Sequence, residues 1–313
     1  MAQFNKDSVV CFFGDSITAN GTWIRRVYDY YRLEKKIPCR FYNCGVGGDR
    51  AEHALWRMEE TVFCYEPTDV VVAFGMNDCG YTIYGQNPLT DKGVLDRRRL
   101  LDTCISNLRR IVMKSASRGV RVTFCTPTLP DELSEGPTQI YYGAGAALME
   151  LSLRIRTLAE EFGLDVVDFH FPFRQMQLKL FREGQTMVCP DRIHPVAEGH
   201  ELMARLFLQA QGFDVALPDS WEQLQSLAQV PHDEWENRRY QLETEANCNM
   251  YVEWDFGFGK KSKEAMENAV AAQLQVEERE YIRGRLEHYL ESRDQLPVRR
   301  QALIDHTNTV LED

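Results

Sequence analysis

Between residues 8 and 212 the chain alternates short apolar runs with longer stretches of helical periodicity, and this alternation leaves few folds open. Val9-Val10-Cys11-Phe12-Phe13 is β-branched and aromatic, is too short for a buried helix, and stops at Gly14. Phe41–Cys44, Asp69–Phe74, Val120–Cys125 and Asp165–Phe169 repeat the pattern, Asp69–Phe74 most clearly. Helical patterns cover Thr22–Lys36, Ala51–Phe63, Asp96–Ser117 and Ala144–Phe162, and Val196–Gln211 closes the series with Pro195 beside its first turn. In Ala144–Phe162 the apolar positions Leu148, Leu151, Ile155, Leu158 and Phe162 recur at spacings of three and four, an amphipathic stripe. Alternating strands and helices predict an α/β protein, a flavodoxin-like doubly wound parallel sheet with helices on both faces.

The character changes after Gly212. Residues 219–313 hold no strand pattern; Ser262–Ser292 is long, charged and helical, and Ala302–Leu311 is a further short helix. The expected organisation is an α/β domain over 1–212 and an α-helical C-terminal extension over 213–313. That extension would pack on the core, cover a site, or join two copies into a homo-oligomer. Its aromatic cluster Tyr251, Trp254, Phe256 and Phe258 is expected to pack against the main domain.

A net charge of −11 disfavours a nucleic-acid or anionic-membrane partner. Arg97-Arg98-Arg99 is expected to be a solvated helix face. No window approaches the roughly 18 apolar residues of a membrane span, and no apolar leader precedes the first strand, so a cytoplasmic protein is the expectation. The nine cysteines are scattered, and none forms a Cys-x-x-Cys pair or a Cys/His cluster with zinc spacing. Cys11, Cys44, Cys64 and Cys125 read as small core residues.

Four motifs sit where strands should end: Gly14-Asp15-Ser16, Gly47-Gly48-Asp49, Gly75-Met76-Asn77-Asp78 and Asp191-Arg192-Ile193-His194-Pro195. Ligand sites in open parallel sheets lie beyond the carboxyl ends of the strands, so Ser16, Gly48 and Asn77 would meet there. Nucleophilic acyl transfer needs a nucleophile, a base, an orienting group and oxyanion donors. Ser16 would be the nucleophile, His194 its base, and Asp191 the carboxylate that orients the imidazole. The oxyanion would receive the backbone N–H groups of Ser16 and Gly48 and the side-chain amide of Asn77; Gly48 suits close backbone approach because it has no Cβ. Each motif also has a structural reading. A serine after Gly-Asp caps helices, Gly-Gly and Asn-Asp make turns, and His before Pro is commonly a helix-start residue.

Together the four blocks resemble those of the SGNH, or GDSL-type, hydrolases over about residues 6–212. Phe13–Ser16 is similar to the first block, Asn43–Asp49 to the second, Gly75–Asp78 to the third, and Asp191–Pro195 to the last. The first reads Asp-Ser-Ile-Thr where the name-giving pattern has Asp-Ser-Leu. The resemblance implies a flavodoxin-like fold and ester hydrolysis without a cofactor or metal. It places the nucleophile at Ser16, the oxyanion donors at Gly48 and Asn77, and the Asp and His at Asp191 and His194.

Other readings are weaker. Gly45-Val46-Gly47 begins a dinucleotide fingerprint, but Arg50 fills its last glycine position. No Gly-x-Ser-x-Gly elbow occurs. A metal would need Asp168, His170, Asp191 or His194, of which Asp168 and His170 fit structural roles better. His53, His200, His232, His288 and His306 have no evident partner in the sequence. Acyl transfer to an acceptor other than water would use the same residues, and a non-catalytic carbohydrate-binding module would use the same scaffold.

Two loops, Cys79–Leu95 and Pro127–Tyr142, should wall the pocket. They carry Tyr81, Tyr84, Tyr141 and Tyr142 but few large aliphatic side chains, whereas long acyl chains need a continuous apolar groove. With Asp15, these tyrosines are the candidate substrate contacts. Trp23 and Arg25 would either reach the mouth or cover the helix surface. The expected substrate is a small-molecule or oligosaccharide ester with a short, acetyl-sized acyl group; a lysophospholipid or thioester is the alternative.

Overall fold

Val9–Gly14 (β1), Arg40–Gly45 (β2), Asp69–Ala73 (β3), Arg121–Cys125 (β4) and Asp165–Val167 (β5) form one sheet in a computed structural model that describes residues 1–84 and 91–229. The strand order is β2-β1-β3-β4-β5 and every pairing is parallel, the flavodoxin-like order. All six residues of β1 are buried, because a central parallel strand is covered on both faces and cannot alternate with polar residues. Phe12 and Phe13 point to opposite faces. Phe12 meets Trp23, Phe41 and Phe207 on one side, and Phe13 meets Phe74 on the other.

The helices are Ser16–Ala19 (α1), Thr22–Asp29 (α2), Ala51–Thr61 (α3), Asp91–Ala116 (α4), Ala144–Phe162 (α5), His170–Phe181 (α6), Ala197–Ala210 (α7) and Trp221–Ala228 (α8). α2 packs on α7, α3 on α4, and α4 on α5. The stripe of α5 is as the spacing predicts: Leu148, Leu151, Ile155 and Leu158 are buried, while Phe162 at the end is exposed. Cys11, Cys44 and Cys125 are core residues and Cys64 is half-buried; the eight described cysteines are free.

Several elements depart from the sequence expectation. α2 ends at Asp29 and continues as a π-helical turn over Tyr30–Glu34. α3 gives way to a 3-10 turn, Phe63–Tyr65. α4 starts at Asp91, five residues early. Gly93 disguises its first turn, and the exposed Val94 and Leu95 break the apolar period there. β5 stops at Val167, and α6 was not anticipated. Pro172 reads as a breaker, yet in a first turn the missing N–H is no loss; Phe173, Gln177 and Leu180 then supply the buried face.

Residues 213–228, expected to belong to the extension, pack on the sheet domain. Phe213 contacts Tyr30 and Tyr31, and Leu224 of α8 is fully buried. Ser262–Ser292, Ala302–Leu311 and the aromatic cluster at 251–258 lie outside the described residues. No described helix is long and apolar enough to cross a membrane.

Candidate active site

Chain order reverses between β1 and β3, so the loops leaving these strands diverge and open a crevice at their carboxyl ends. Ser16 starts α1 immediately beyond β1, and Asn77 follows β3. α1 can lie across the strand ends only because Gly14 and Gly45 lack a Cβ. A methyl on Gly14 would strike Thr18 and the Ala73 carbonyl, and one on Gly45 would strike the Ala19 backbone. Asn43 reinforces the seat: its side chain accepts from Gly45 N (3.0 Å) and donates to the Ala19 carbonyl (3.3 Å).

Ser16 Oγ lies 2.8 Å from His194 Nε2, and His194 Nδ1 lies 2.6 Å from Asp191 Oδ2. An ionised carboxylate only accepts, so Nδ1 carries the ring proton and Nε2 is left to accept from the serine. Asp191 is itself held by its turn, Oδ1 accepting from Ile193 N (2.9 Å) and His194 N (3.0 Å). Partial burial pushes the Asp191 carboxyl up, but those two amides and the imidazole outweigh it, and its pKa is lowered overall. The turn is closed below by Cys189 N to the His194 carbonyl (2.7 Å) and by an antiparallel bridge between Val188 and Pro195. Both Asp191 and His194 keep about half of their side-chain surface in solvent.

Gly48 has φ +72°, the left-handed region where glycine is unstrained, and it is exposed. The Asn77 amide donates to the Asp49 carbonyl (3.0 Å), which leaves its second N–H for a ligand. Asp49 is buried completely, and its carboxylate takes two guanidinium nitrogens of Arg57, at 2.8 and 2.7 Å. Arg57 is also buried, donates to Thr61 Oγ1 (3.0 Å), and lies 4.7 Å over the Phe13 ring. The Asp78 carboxylate accepts from Ala51 N at the start of α3 (2.9 Å). The Gly48 turn, the Asn77 turn and α3 are therefore tied together by Asp49, Arg57 and Asp78. Sequence reasoning missed this tie. Arg57 lies inside a helical pattern, and nothing local says that its charge points inward.

The candidate substrate contacts separate in the structure. Tyr81 and Tyr141 pack edge to face across the two loops with ring centroids 5.0 Å apart. Burial raises the Tyr81 pKa, and the nearby Tyr141, Asp191 and Asp15 add to the shift. Tyr142 is exposed. Tyr84 is buried between α4 and α5, with Arg97 stacked 4.2 Å from its ring centroid, so Arg97 departs from the solvated face expected of it. Asp15 is buried; its carboxylate caps α1 by accepting from Ile17 N (3.0 Å), and desolvation pushes its pKa up to about 7. Trp23 packs in the core against Phe12, Phe169 and Phe207, and Arg25 pairs with Asp29 at 2.8 Å. Asp168 accepts from Thr126 and pairs with Arg156, and His170 Nδ1 sits 3.3 Å from the Pro127 carbonyl. Among the described residues no three His, Cys, Asp or Glu side chains are grouped to hold a metal.

Residues 12–202 match the model of the GDSL-like lipase/acylhydrolase family. The chain belongs to that family. It is a GDSL-type carboxylic ester hydrolase, and its fold is the one the resemblance implied. An acetylxylan esterase of Geobacillus stearothermophilus is 25% identical to this GDSL-type chain over 57% of its length and 75% of the esterase's. The platelet-activating factor acetylhydrolase IB subunit alpha1 of Rattus norvegicus is 27% identical, over 69% of this chain and 84% of that one. Among solved structures, a gut microbial diltiazem-metabolizing enzyme superposes with a TM-score of 0.63 at 27% identity. The match covers 68% of this chain and 48% of that enzyme, so the chain spans about half of its length. The Geobacillus esterase structure shares the fold with a TM-score of 0.54 at 20% identity, over 69% of this chain.

Proposed function

We propose that the protein hydrolyses short-chain esters, acetyl esters of carbohydrates foremost, through an acyl-enzyme on Ser16. The observation that carries this reading is the unbroken chain Ser16 Oγ, His194 Nε2, His194 Nδ1, Asp191 Oδ2, with links of 2.8 and 2.6 Å. His194 takes the Ser16 proton as Oγ attacks the ester carbonyl, and Asp191 balances the imidazolium. The oxyanion is met by the N–H groups of Ser16 and Gly48 and by the free N–H of Asn77, donors worth on the order of 3 kcal/mol each. The intermediate collapses as His194 returns the proton to the departing alcohol. Water, activated by the same imidazole, then attacks the acyl-serine, releases the carboxylic acid and restores the Ser16 hydroxyl. Asp15 stays below the nucleophile as the cap of α1.

The carbohydrate reading rests on Tyr81 and Tyr141, an edge-to-face pair whose apolar rings and polar hydroxyls suit a sugar more than a long alkyl chain. Two relatives whose names carry acetylated substrates support the acetyl preference. The test is hydrolysis of p-nitrophenyl acetate, butyrate and octanoate, followed by acetylated xylooligosaccharides, by the wild type and by Ser16→Ala. Acetate should be turned over best, and the variant should lose roughly 10⁴–10⁶ in kcat. A preference for octanoate would overturn the acyl-size reading. Full activity in Ser16→Ala would overturn the nucleophile.

A further inference from the structure

Arg192 stands between Asp191 and His194 and has two properties that the hydrolytic reading does not use. Its φ is +69°, in the left-handed region that disfavours side chains, and it is buried, whereas Lys36 and Glu66, the other described non-glycine residues with positive φ, are exposed. Its guanidinium runs into the loop between β4 and α5. Nε donates to the Thr138 carbonyl (2.8 Å), and one terminal nitrogen donates to the carbonyls of Ser134 (2.8 Å) and Asp131 (3.3 Å). The backbone repeats the link, with Asp131 N donating to the Arg192 carbonyl at 2.9 Å.

The loop held in this way is closed on itself. The Asp131 carboxylate accepts from Leu133 N (2.9 Å) and Ser134 N (3.0 Å), and Glu132 accepts from Gly143 N (3.1 Å) and Gly145 N (2.7 Å) at the start of α5. Tyr141 stands between these anchors, edge to face with Tyr81. One planar fork with donors in fixed directions thus joins the turn carrying Asp191 and His194 to the loop carrying Tyr141. A lysine ammonium has no such fork.

We propose that Arg192 is a positioning residue that sets specificity. It holds the Asp191–His194 turn and the Tyr141 loop as one rigid unit, so that binding of the substrate's alcohol part and proton transfer at Ser16 depend on a single side chain. This rests on the Ser16–His194–Asp191 reading above. Glycine at position 192 would accept φ +69° without strain while removing the fork, so the backbone alone gives the turn no need of arginine.

The test compares wild type, Arg192→Gly, Arg192→Lys and Ser16→Ala on p-nitrophenyl acetate and on an acetylated xylooligosaccharide, with folding followed by circular dichroism. For Arg192→Gly we expect kcat on the aryl acetate to fall about tenfold and kcat/KM on the oligosaccharide roughly 100-fold, the extra loss lying in KM, because small misplacements of reacting groups weigh this heavily. Millimolar guanidinium should restore part of the Arg192→Gly activity and none of the Ser16→Ala activity. Arg192→Lys should show the same selective loss, and if the glycine variant does not fold, the lysine variant decides. Equal losses on both substrates, or wild-type kinetics in the folded variants, overturn the proposal. An active Ser16→Ala would instead overturn the reading on which it rests.

Discussion

Replacing Arg57 by methionine tests whether the buried ion pair behind the Gly48 and Asn77 turns stabilises the site. Methionine keeps the aliphatic stem and much of the volume, so the change isolates the charge. Arg57 and Asp49 leave 1% and 0% of their side chains exposed, and two guanidinium nitrogens reach the same carboxylate oxygen at 2.8 and 2.7 Å. Unit charges about 4 Å apart attract by about 4 kcal/mol at an effective dielectric constant near 20. Removing one member of such a pair strands the other, which costs about 3–5 kcal/mol. The lost cation–π contact with Phe13 adds about 1 kcal/mol. Urea unfolding should therefore show Arg57→Met destabilised by about 4–6 kcal/mol, a large part of the 5–15 kcal/mol typical of a folded domain. The double variant Asp49→Asn with Arg57→Met has no orphaned charge, and it should recover about 2 kcal/mol relative to the sum of the single losses. The deficit also has a pH signature. Burial already raises the Asp49 carboxyl, and without the guanidinium its folded pKa climbs further. A raised carboxyl favours folding below the unfolded pKa of about 4 and loses that contribution as pH rises, so the Arg57→Met deficit should grow from pH 4 to pH 8. A loss under about 1 kcal/mol, or single losses that simply add in the double variant, would refute the reasoning.

Asp15→Asn keeps the acceptor for Ile17 N and removes the titration. Asp15 has its pKa raised to about 7 from the ordinary 3.8, so wild type loses folding free energy as pH rises between these values and nothing further above. The asparagine variant should gain up to about 4 kcal/mol on wild type between pH 4 and pH 8 in paired denaturation curves, and parallel curves would count against a buried carboxyl at this position. Asn77→Ala removes the proposed oxyanion donor and the tether to the Asp49 carbonyl; kcat on p-nitrophenyl acetate should fall on the order of 10²–10³ with little change in KM. A rise in KM with kcat preserved would make Asn77 a ground-state binding group instead.

The strands and the four motifs were legible because their signals are local. An unbroken apolar run stopped by glycine needs only its own residues to read as a buried strand, and Gly14, Gly48, Asn77 and His194 follow such runs or a turn at recognisable spacing. α6 was hidden because Pro172 sends the same local signal in a first turn as in a helix interior, where it would break the helix. The four candidate tyrosines looked alike for a related reason. Loop composition carries no side-chain direction, and only the placement of α4 and α5 turns Tyr84 inward under Arg97 while Tyr81 and Tyr141 pack edge to face.

The sequence by itself determined the fold class, and it singled out Ser16, Asn77, Asp191 and His194 as candidates, of which Ser16, His194 and Asp191 lie in one hydrogen-bonded line. Parallel β–α alternation admits few topologies, and each of those residues sits beside its own punctuation. The tertiary structure alone decided what holds the set in place. Arg57 reaches Asp49 from eight residues away and Arg192 reaches Ser134 from 58 away, contacts that exist only once helices and loops are stacked on the sheet. Periodicity reports which face of an element is apolar, but a buried guanidinium is stable only where several acceptors converge on it, and that convergence is a property of the assembled fold.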